Sequence, residues 1–384
     1  MTKKRIFTII GARPQIIKSS ALSRAIRQHF SQYIEEIIVH TGQHYDANLS
    51  DVFFEEMQIP KPKYNLEVGS GNHGAMTARM IEGLEKLLLE EEPDAVVIYG
   101  DTNSTLAGAI AAAKIHIPVV HIEAGLRSFN KAMPEELNRI TSDHMSTLLF
   151  TPTKAGLQNL EREGFDLCLN EKATIDKPNI YYCGDIMLDN SKYFSEVSQL
   201  NSKILKDLKV EPNSYVLCTI HRDSNTDSSS NLTSIFRALI KITKDHDLKV
   251  ILPIHPRTRH KMQDRLDAKF YEEIMNHAAI KIIPPAGFLD VIALEKNARI
   301  IITDSGGLQK EAFFFQKPCV VLREETEWIE IVQNGNAKTS GADLDKICRS
   351  TDELLKKSDY TFPSFYGDGK AADFIVKKII ENLK

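Results

Sequence analysis

The sequence predicts an α/β protein of two Rossmann-like domains, each a parallel sheet wrapped by helices, with a cleft between them. Three observations point there. Short apolar runs rich in β-branched residues alternate with helical patterns along almost the whole 384-residue chain, which favours parallel strands joined by right-handed crossovers. The alternation lapses near Gly184 to Asn201 and then restarts, and the length suffices for two domains with full cores. Finally, three apolar runs end in a carboxylate: Val96-Val97-Ile98-Tyr99-Gly100-Asp101, Val119-Val120-His121-Ile122-Glu123 and Ile300-Ile301-Ile302-Thr303-Asp304-Ser305-Gly306-Gly307. Ligands of open parallel sheets sit outside the carboxyl ends of the strands. One half therefore offers acid/base groups and the other a phosphate cradle, as an enzyme acting on a phosphate-tagged substrate would need.

The elements follow in order. Lys4–Ile10 reads as a strand and Pro14–His29 as a helix with proline near its start, where the missing N–H costs nothing. Glu36–His40 is a strand, Asn48–Met57 a helix, and His73–Glu92 a long amphipathic helix stopped by Pro93. Strand Ala95–Tyr99, an Ala-rich helix Ser104–His116 and strand Pro118–Ile122 come next. Helix Pro134–Met145, strand Thr147–Thr151 and helix Lys154–Gly164 lead to a polar stretch, Phe165–Pro178, and a short strand Ile180–Cys183. The second half has strands Tyr215–Ile220, Lys249–Ile254, Ile280–Ile283, Arg299–Thr303 and Cys319–Leu322, with helix Asn231–Asp245 between the first two. A last helix, Lys370–Leu383, follows the turn Tyr366-Gly367-Asp368-Gly369. The expected domains are 1–186 and 187–367, with residues 368–384 packing back on the first.

Composition excludes several classes. A formal charge of −4 gives no bulk attraction to nucleic acid or anionic membrane. The first apolar run, Ile6–Ile10, is too short for a signal sequence or a span. The five cysteines show no CxxC spacing and read as reduced thiols of a cytoplasmic protein. No metal site is expected, since no His-x-x-x-His pair lies on an expected helix and His40-x-x-x-His44 runs from a strand into a loop.

The chemistry-bearing residues gather at strand ends. Gly11-Ala12-Arg13-Pro14-Gln15-Ile16-Ile17-Lys18 lacks the Gly-x-Gly-x-x-Gly spacing, which disfavours a nicotinamide cofactor. Arg13 is placed to meet an anion at a helix N-terminus, with Lys18 a turn further on; a solvated Arg on a capped loop is the plain alternative. Ser305, Gly306 and Gly307 can bring backbone N–H groups to a diphosphate, and Glu311 can accept two ribose hydroxyls; a simple helix cap with a dipole-favoured acid is the alternative. Asp101, Glu123, Glu135 and Glu136 are the candidate acids and bases, although acids at Glu135 and Glu136 also suit a helix start. Crowded carboxylates should push some of their pKa values up. His221-Arg222 and His255-Pro256-Arg257 supply groups that could stabilise a departing diphosphate, whereas His40 and His121 read as satisfied core histidines. Phe288 could contact a nucleobase or plug the core, and Phe313-Phe314-Phe315 reads as helix packing.

Taken together, these residues resemble the non-hydrolysing UDP-N-acetylglucosamine 2-epimerase family over nearly the whole chain. The shared stretches are Gly11-Ala12-Arg13-Pro14-Gln15, Gly42-Gln43-His44-Tyr45-Asp46, Tyr99-Gly100-Asp101-Thr102-Asn103-Ser104, His121-Ile122-Glu123-Ala124-Gly125-Leu126-Arg127, Pro134-Glu135-Glu136-Leu137-Asn138-Arg139, His221-Arg222, His255-Pro256-Arg257, and Asp304-Ser305-Gly306-Gly307 with Glu311. The resemblance implies a glycosyltransferase-B-like fold, usually a homodimer. It implies inversion at C2 of a UDP-2-acetamido sugar without cofactor, through a 2-acetamidoglycal, in the supply of bacterial surface polysaccharide. Asp101, Glu123 and Glu136 match the family's acid/base carboxylates and His221 its catalytic histidine. Arg13, Ser305, Gly306, Gly307 and Glu311 match its UDP contacts.

Departures from the pattern matter for the substrate. Ser224 stands where the family often has Glu, and Gln43-His44-Tyr45-Asp46 differs from the run of members regulated by their own substrate. The variants at Gly11–Gln15 and Gln43–Asp46, with Leu126–Asn130 and Glu325-Thr326-Glu327-Trp328, resemble the branch acting on UDP-2,3-diacetamido-2,3-dideoxy-glucuronate. A uronate would want an added cation, from Arg127 or Lys131. A UDP-sugar glycosyltransferase on the same fold, a hydrolytic epimerase and a nucleotide-sugar sensor are the competing readings.

Overall fold

The computed structural model describes residues 3–43, 54, 57 and 59–383. Apart from two isolated positions, the helix expected over 48–57 lies outside the described residues, as do His44, Tyr45 and Asp46. Two compact units divide the chain: residues 1–190 with 364–384, and residues 191–363.

The first unit carries strands β1 (Lys4–Ile10), β2 (Ile34–His40), β3 (Tyr64–Asn65), β4 (Ala95–Tyr99), β5 (Val119–Ile122), β6 (Leu148–Thr151) and β7 (Asn179–Tyr182). They form one parallel sheet in the order β3-β2-β1-β4-β5-β6-β7. Every residue of β4 is buried, as a strand covered by helices on both faces must be. The helices are α1 (Arg13–Ala25), α2 (His73–Glu91), α3 (Asn103–Lys114), α4 (Pro134–His144) and α5 (Lys154–Arg162). Met76, Met80, Leu84, Leu87 and Leu88 line the buried stripe of α2, the spacing of an amphipathic helix. Past Ala25 the chain widens into a π-turn over Ile26–Phe30, so the expected helix to His29 keeps its span but not its pitch.

Helix α6 (Ile186–Asn201) runs from the first unit into the second. The second unit holds β8 (Tyr215–Thr219), β9 (Lys249–Pro253), β10 (Ile280–Ile283), β11 (Ile300–Thr303), β12 (Cys319–Val321) and β13 (Ala337–Thr339), all parallel, in the order β10-β9-β8-β11-β12-β13. Its helices are α7 (Ile204–Leu208), α8 (Asp223–Thr226), α9 (Ser229–His246), α10 (Pro256–Arg265), α11 (Ala268–Met275), α12 (Phe288–Asn297), α13 (Gly306–Phe314), α14 (Ile329–Gln333) and α15 (Leu344–Lys356). In each sheet the strand order reverses once, at β1/β4 and at β8/β11, and such switch points are where these folds bind ligands.

Helix α16 (Ala371–Asn382) returns to the first unit and packs on α1. Its start is capped by Asp189, whose carboxylate accepts the N–H groups of Ala371 (3.2 Å) and Ala372 (2.8 Å). Burial, with Asp185 adding to it, pushes this carboxyl up to about 6 against those hydrogen bonds. A folded-state pKa raised above the ordinary carboxylate value gives stability that is present at low pH and is lost as pH rises through about 6. Wild type should therefore lose up to about 3 kcal/mol between pH 4 and pH 7 from this group alone. Guanidinium unfolding of Asp189→Asn should show a flatter pH dependence by about 1–3 kcal/mol. Equal slopes in both proteins would refute the assignment.

Candidate active site

Each unit presents a cluster of polar groups at the carboxyl ends of its strands, on both sides of its switch point. In the first unit the turn after β1 must pass very close to its neighbours. A Cβ on Gly11 would lie 2.1 Å from both Ser104 Oγ and Thr41 Oγ1. Gln15, buried beneath it, accepts the N–H groups of Gly11 (2.9 Å) and Ala12 (3.2 Å) and donates to the Tyr99 carbonyl and Thr105. The N–H groups of Gly11 and Ala12 are thus both committed to Gln15. Arg13 itself is exposed at the first position of α1.

Asp101 follows β4 through Gly100, which takes a left-handed φ of 61°. Glu123 follows β5 and is itself left-handed at φ 74°. That conformation strains a non-glycine residue. It is held because the N–H groups of Glu123 and Ala124 both donate to the Phe150 carbonyl at 3.0 Å. Lys18 forms an ion pair with Glu123. Lys18, expected near an anionic ligand, thus has a carboxylate of the acid/base set as its partner here.

Arg139 is the centre that sequence reading missed. Its guanidinium pairs with Asp101 and, at 2.9 Å, with Glu136, while Glu123 adds to its field. Burial pushes this group down, but the three carboxylates outweigh it and raise it further above the ordinary arginine value. Glu136, Arg139 and Asp143 stand at i, i+3 and i+7 of α4, so one helix face carries all three; that spacing was the available signal. Asn138 fixes the Asp101 carbonyl at 2.9 Å.

Glu136 departs from expectation in its electrostatics. Its side chain is 1% exposed and accepts Ser128 N–H (2.9 Å), Ser128 O–H (3.0 Å) and Phe129 N–H (2.9 Å). Burial pushes its pKa up, but these donors and Arg139 outweigh that, and the net shift is down. The expected rise from carboxylate crowding does not occur here, because the neighbours of Glu136 are donors and a cation. Asp101 and Glu123 are the more accessible pair, at 33% and 15% side-chain exposure. Glu135 points outward and is exposed. Arg127, the candidate cation for a uronate, is buried between Asp143 (2.8 Å) and Glu163 (2.6 Å), whereas Lys131 is exposed.

In the second unit Asp304 ends β11 and is fully buried. It accepts the N–H of His221 (2.9 Å), the N–H of Arg222 (3.0 Å) and the Asn225 amide (3.0 Å), so one carboxylate shapes the whole turn after β8. Ser305 caps α13. Gly306 and Gly307 open that helix with normal φ, and a Cβ on either would meet nothing nearer than 3.8 Å. The protein's own packing therefore does not require these glycines. The helix start presents N–H groups that lack intrahelical partners. Arg323 lies beside Gly306, held by two 2.8 Å bonds to Glu327, and the Trp328 indole donates to the Gly306 carbonyl at 2.9 Å. Glu311 is half-buried on α13.

His221 is pushed down from the ordinary imidazole value, first by desolvation, against Asp304 and with His255 adding. The cations beside it are Arg222 and Arg323. The His255 ring accepts the Arg257 N–H at 3.3 Å and so caps α10. Phe288 is buried edge-on against Phe194, with centroids 5.1 Å apart. The structure brings it to the core rather than to a nucleobase, because α6 covers it. His121 is buried with both ring nitrogens engaged, and His40 is buried and accepts the Gly42 N–H, as core histidines would. Among the described residues no group of three or more His, Cys, Asp or Glu is arranged to hold a metal ion, and no helix is long and apolar enough to cross a membrane.

Residues 25–380 match the family described as UDP-N-acetylglucosamine 2-epimerase. The UDP-2,3-diacetamido-2,3-dideoxy-D-glucuronate 2-epimerase of Pseudomonas aeruginosa is 45% identical over 97% of this chain and 98% of its own. The crystal structure of the Methanocaldococcus jannaschii UDP-GlcNAc 2-epimerase in complex with UDP-GlcNAc and UDP matches with TM-score 0.82 and 38% identity, over 98% of this chain and 99% of that one. A Phytolacca americana UGT2 complexed with UDP-2fluoro-glucose and pterostilbene matches with TM-score 0.59 at 12% identity, over 99% and 94%. That last likeness reaches the fold alone, which is glycosyltransferase-B-like.

Proposed function

We propose the reaction from one premise: the chain belongs to the UDP-N-acetylglucosamine 2-epimerase family, a family of isomerases. The reading is non-hydrolysing inversion at C2 of a UDP-2-acetamido sugar, of the UDP-N-acetylglucosamine to UDP-N-acetylmannosamine type, in the supply of surface polysaccharide. What carries it is the division of chemistry within one chain. Carboxylates with cationic partners end β4 and β5 of the first unit, and a two-glycine helix start that packing does not require ends β11 of the second.

The chemistry suits those groups. C2–H has no adjacent carbonyl, so its proton can leave only as another bond yields. A carboxylate takes the C2 proton while the C1–O bond to UDP breaks. The C–H electron pair becomes the C1–C2 double bond of a 2-acetamidoglycal, and UDP departs with the C–O pair. A second carboxyl then protonates the opposite face of C2, and UDP adds back at C1. Asp101 and Glu123 are the accessible pair for these transfers. Glu136 can join them by releasing Ser128 and Phe129; while held, it orients Arg139. Ser305 and the N–H groups of Gly306 and Gly307 take the diphosphate, Glu311 takes the ribose, and His221 donates to the leaving oxygen.

A second reading keeps the chemistry and changes the sugar to UDP-2,3-diacetamido-2,3-dideoxy-glucuronate. The 45% identical relative favours it, and Lys131 would meet the uronate. The test is incubation in D₂O with each UDP-sugar, without acceptor, followed by proton NMR. Deuterium at C2 with an epimeric product still carrying UDP is expected, and the faster substrate decides the branch. No exchange with either sugar would overturn the reading in favour of a glycosyltransferase or sensor, and accumulating free UDP would indicate hydrolysis. A cytoplasmic homodimer belongs to the same proposal, and light scattering checks the dimer.

A further inference from the structure

Asp101 and Glu123 stand on irregular turns, yet both turns are tied to one buried pair of residues. His121, fully buried in β5, places Nε2 2.8 Å from the Gly100 carbonyl oxygen, one residue before Asp101. Its Nδ1 lies 2.7 Å from Asp143 Oδ1. Asp143, also fully buried, uses its other oxygen to accept the Gly125 N–H at 3.1 Å, two residues after Glu123. It also meets the Arg127 guanidinium at 2.8 Å, which Glu163 holds from the far side at 2.6 Å. Asp143 belongs to α4, the helix that carries Glu136 and Arg139. The Asp101 turn, the Glu123 turn and that helix therefore meet at this pair.

The protons on His121 follow from its partners. The Gly100 carbonyl has only lone pairs to offer, so Nε2 carries hydrogen. Burial pushes Asp143 up, but His121 and Arg127 outweigh it and hold it below the usual carboxylate range. The carboxylate is thus favoured in its charged form beside His121 Nδ1 and the Arg127 guanidinium. His121 is engaged at both ring nitrogens, by the Gly100 carbonyl and by Asp143.

The geometry points to His121 and Asp143 as positioning residues for proton transfer: a buried hydrogen-bonded pair that sets the Asp101 turn, the Glu123 turn and α4 in one register. The proposal rests on the epimerase reading above. Neither side chain is exposed, so neither touches substrate; both act through the carboxylates they place. Misplacing a reacting group by a fraction of its contact distance costs turnover, on the order of 10²-fold per ångström.

The test uses His121→Gln and Asp143→Asn, alone and in the Asp101→Asn background, beside wild type. The readouts are C2 deuterium exchange, KM, UDP affinity and Tm. The expected result is a fall in kcat of about 10²-fold in each single variant. UDP affinity should stay within about twofold, since its seat is on the other unit. In the Asp101→Asn background the same changes should cost far less, because a principal group being placed is already gone. The opposite result overturns the proposal: a lower Tm with kcat retained, or penalties that multiply fully with Asp101→Asn. If His121→Gln fails to fold, Asp143→Asn, which keeps side-chain volume, carries the same comparison. Loss of folding in both also overturns it, since the pair would then serve the fold alone. A wild type that exchanges no deuterium strikes the epimerase reading instead, and is thereby distinguished from failure of this one.

Discussion

Asp101→Asn, Glu123→Gln and Glu136→Gln should each lower turnover by about 10²–10⁴-fold, the range for losing a positioned acid or base, while UDP still binds. The two readouts separate because the carboxylates and the two-glycine helix start lie on different units. UDP affinity can be followed by the fluorescence of Trp328, the chain's one tryptophan, which donates to Gly306. The variants should differ in stability. Asp101 is one-third exposed and Arg139 keeps Glu136, so Asp101→Asn should cost little. Glu136→Gln replaces a buried carboxylate that accepts two backbone N–H groups and faces a cation, and should cost about 2–4 kcal/mol. Its activity loss must therefore be measured below the melting range. Wild-type-like turnover in all three would end the acid/base assignment.

The second large effect is expected from Asp304→Ala. Removing this carboxylate frees the N–H groups of His221 and Arg222, on a turn that is exposed outward, and strands the buried Asn225 amide. A stranded buried donor costs about 1–3 kcal/mol, and water can reach the others, so the second unit should lose about 1–3 kcal/mol. UDP binding should weaken sharply, because Ser305 and the start of α13 follow Asp304 directly. Guanidinium unfolding read by Trp328 together with UDP titration gives both numbers. An unchanged midpoint with normal binding would show that the turn after β8 holds its shape without Asp304.

Much of this was legible in the sequence, and particular residues explain where legibility stopped. The strands around Val96, Val119 and Ile300 are buried on both faces, so they read as unbroken apolar runs. Strand β3 has two residues and β13 three, too few for any period to register. At the site, strand-end carboxylates announce themselves by position, and Asp101 and Glu123 were visible for that reason. Arg139 was not, because an arginine three residues after a glutamate usually marks a surface pair; here Asp101, distant in sequence, makes it a hub. Lys18 and Arg127 show the converse. As charges near a motif they resemble ligand contacts, and only the fold reveals that Glu123, Asp143 and Glu163 already hold them.

The first unit is made of residues 1–190 and 364–384, with the whole second unit in between. A nascent chain therefore completes residues 191–363 before α16 leaves the ribosome. The second unit, continuous in sequence, can fold as soon as it emerges. Until Ile375, Val376 and Ile379 arrive, the flank of α1 stays uncovered and the Asp189 carboxylate lacks the N–H groups of Ala371 and Ala372. Maturation thus runs against the order of the sequence: the half that is synthesised first is the half that is finished last.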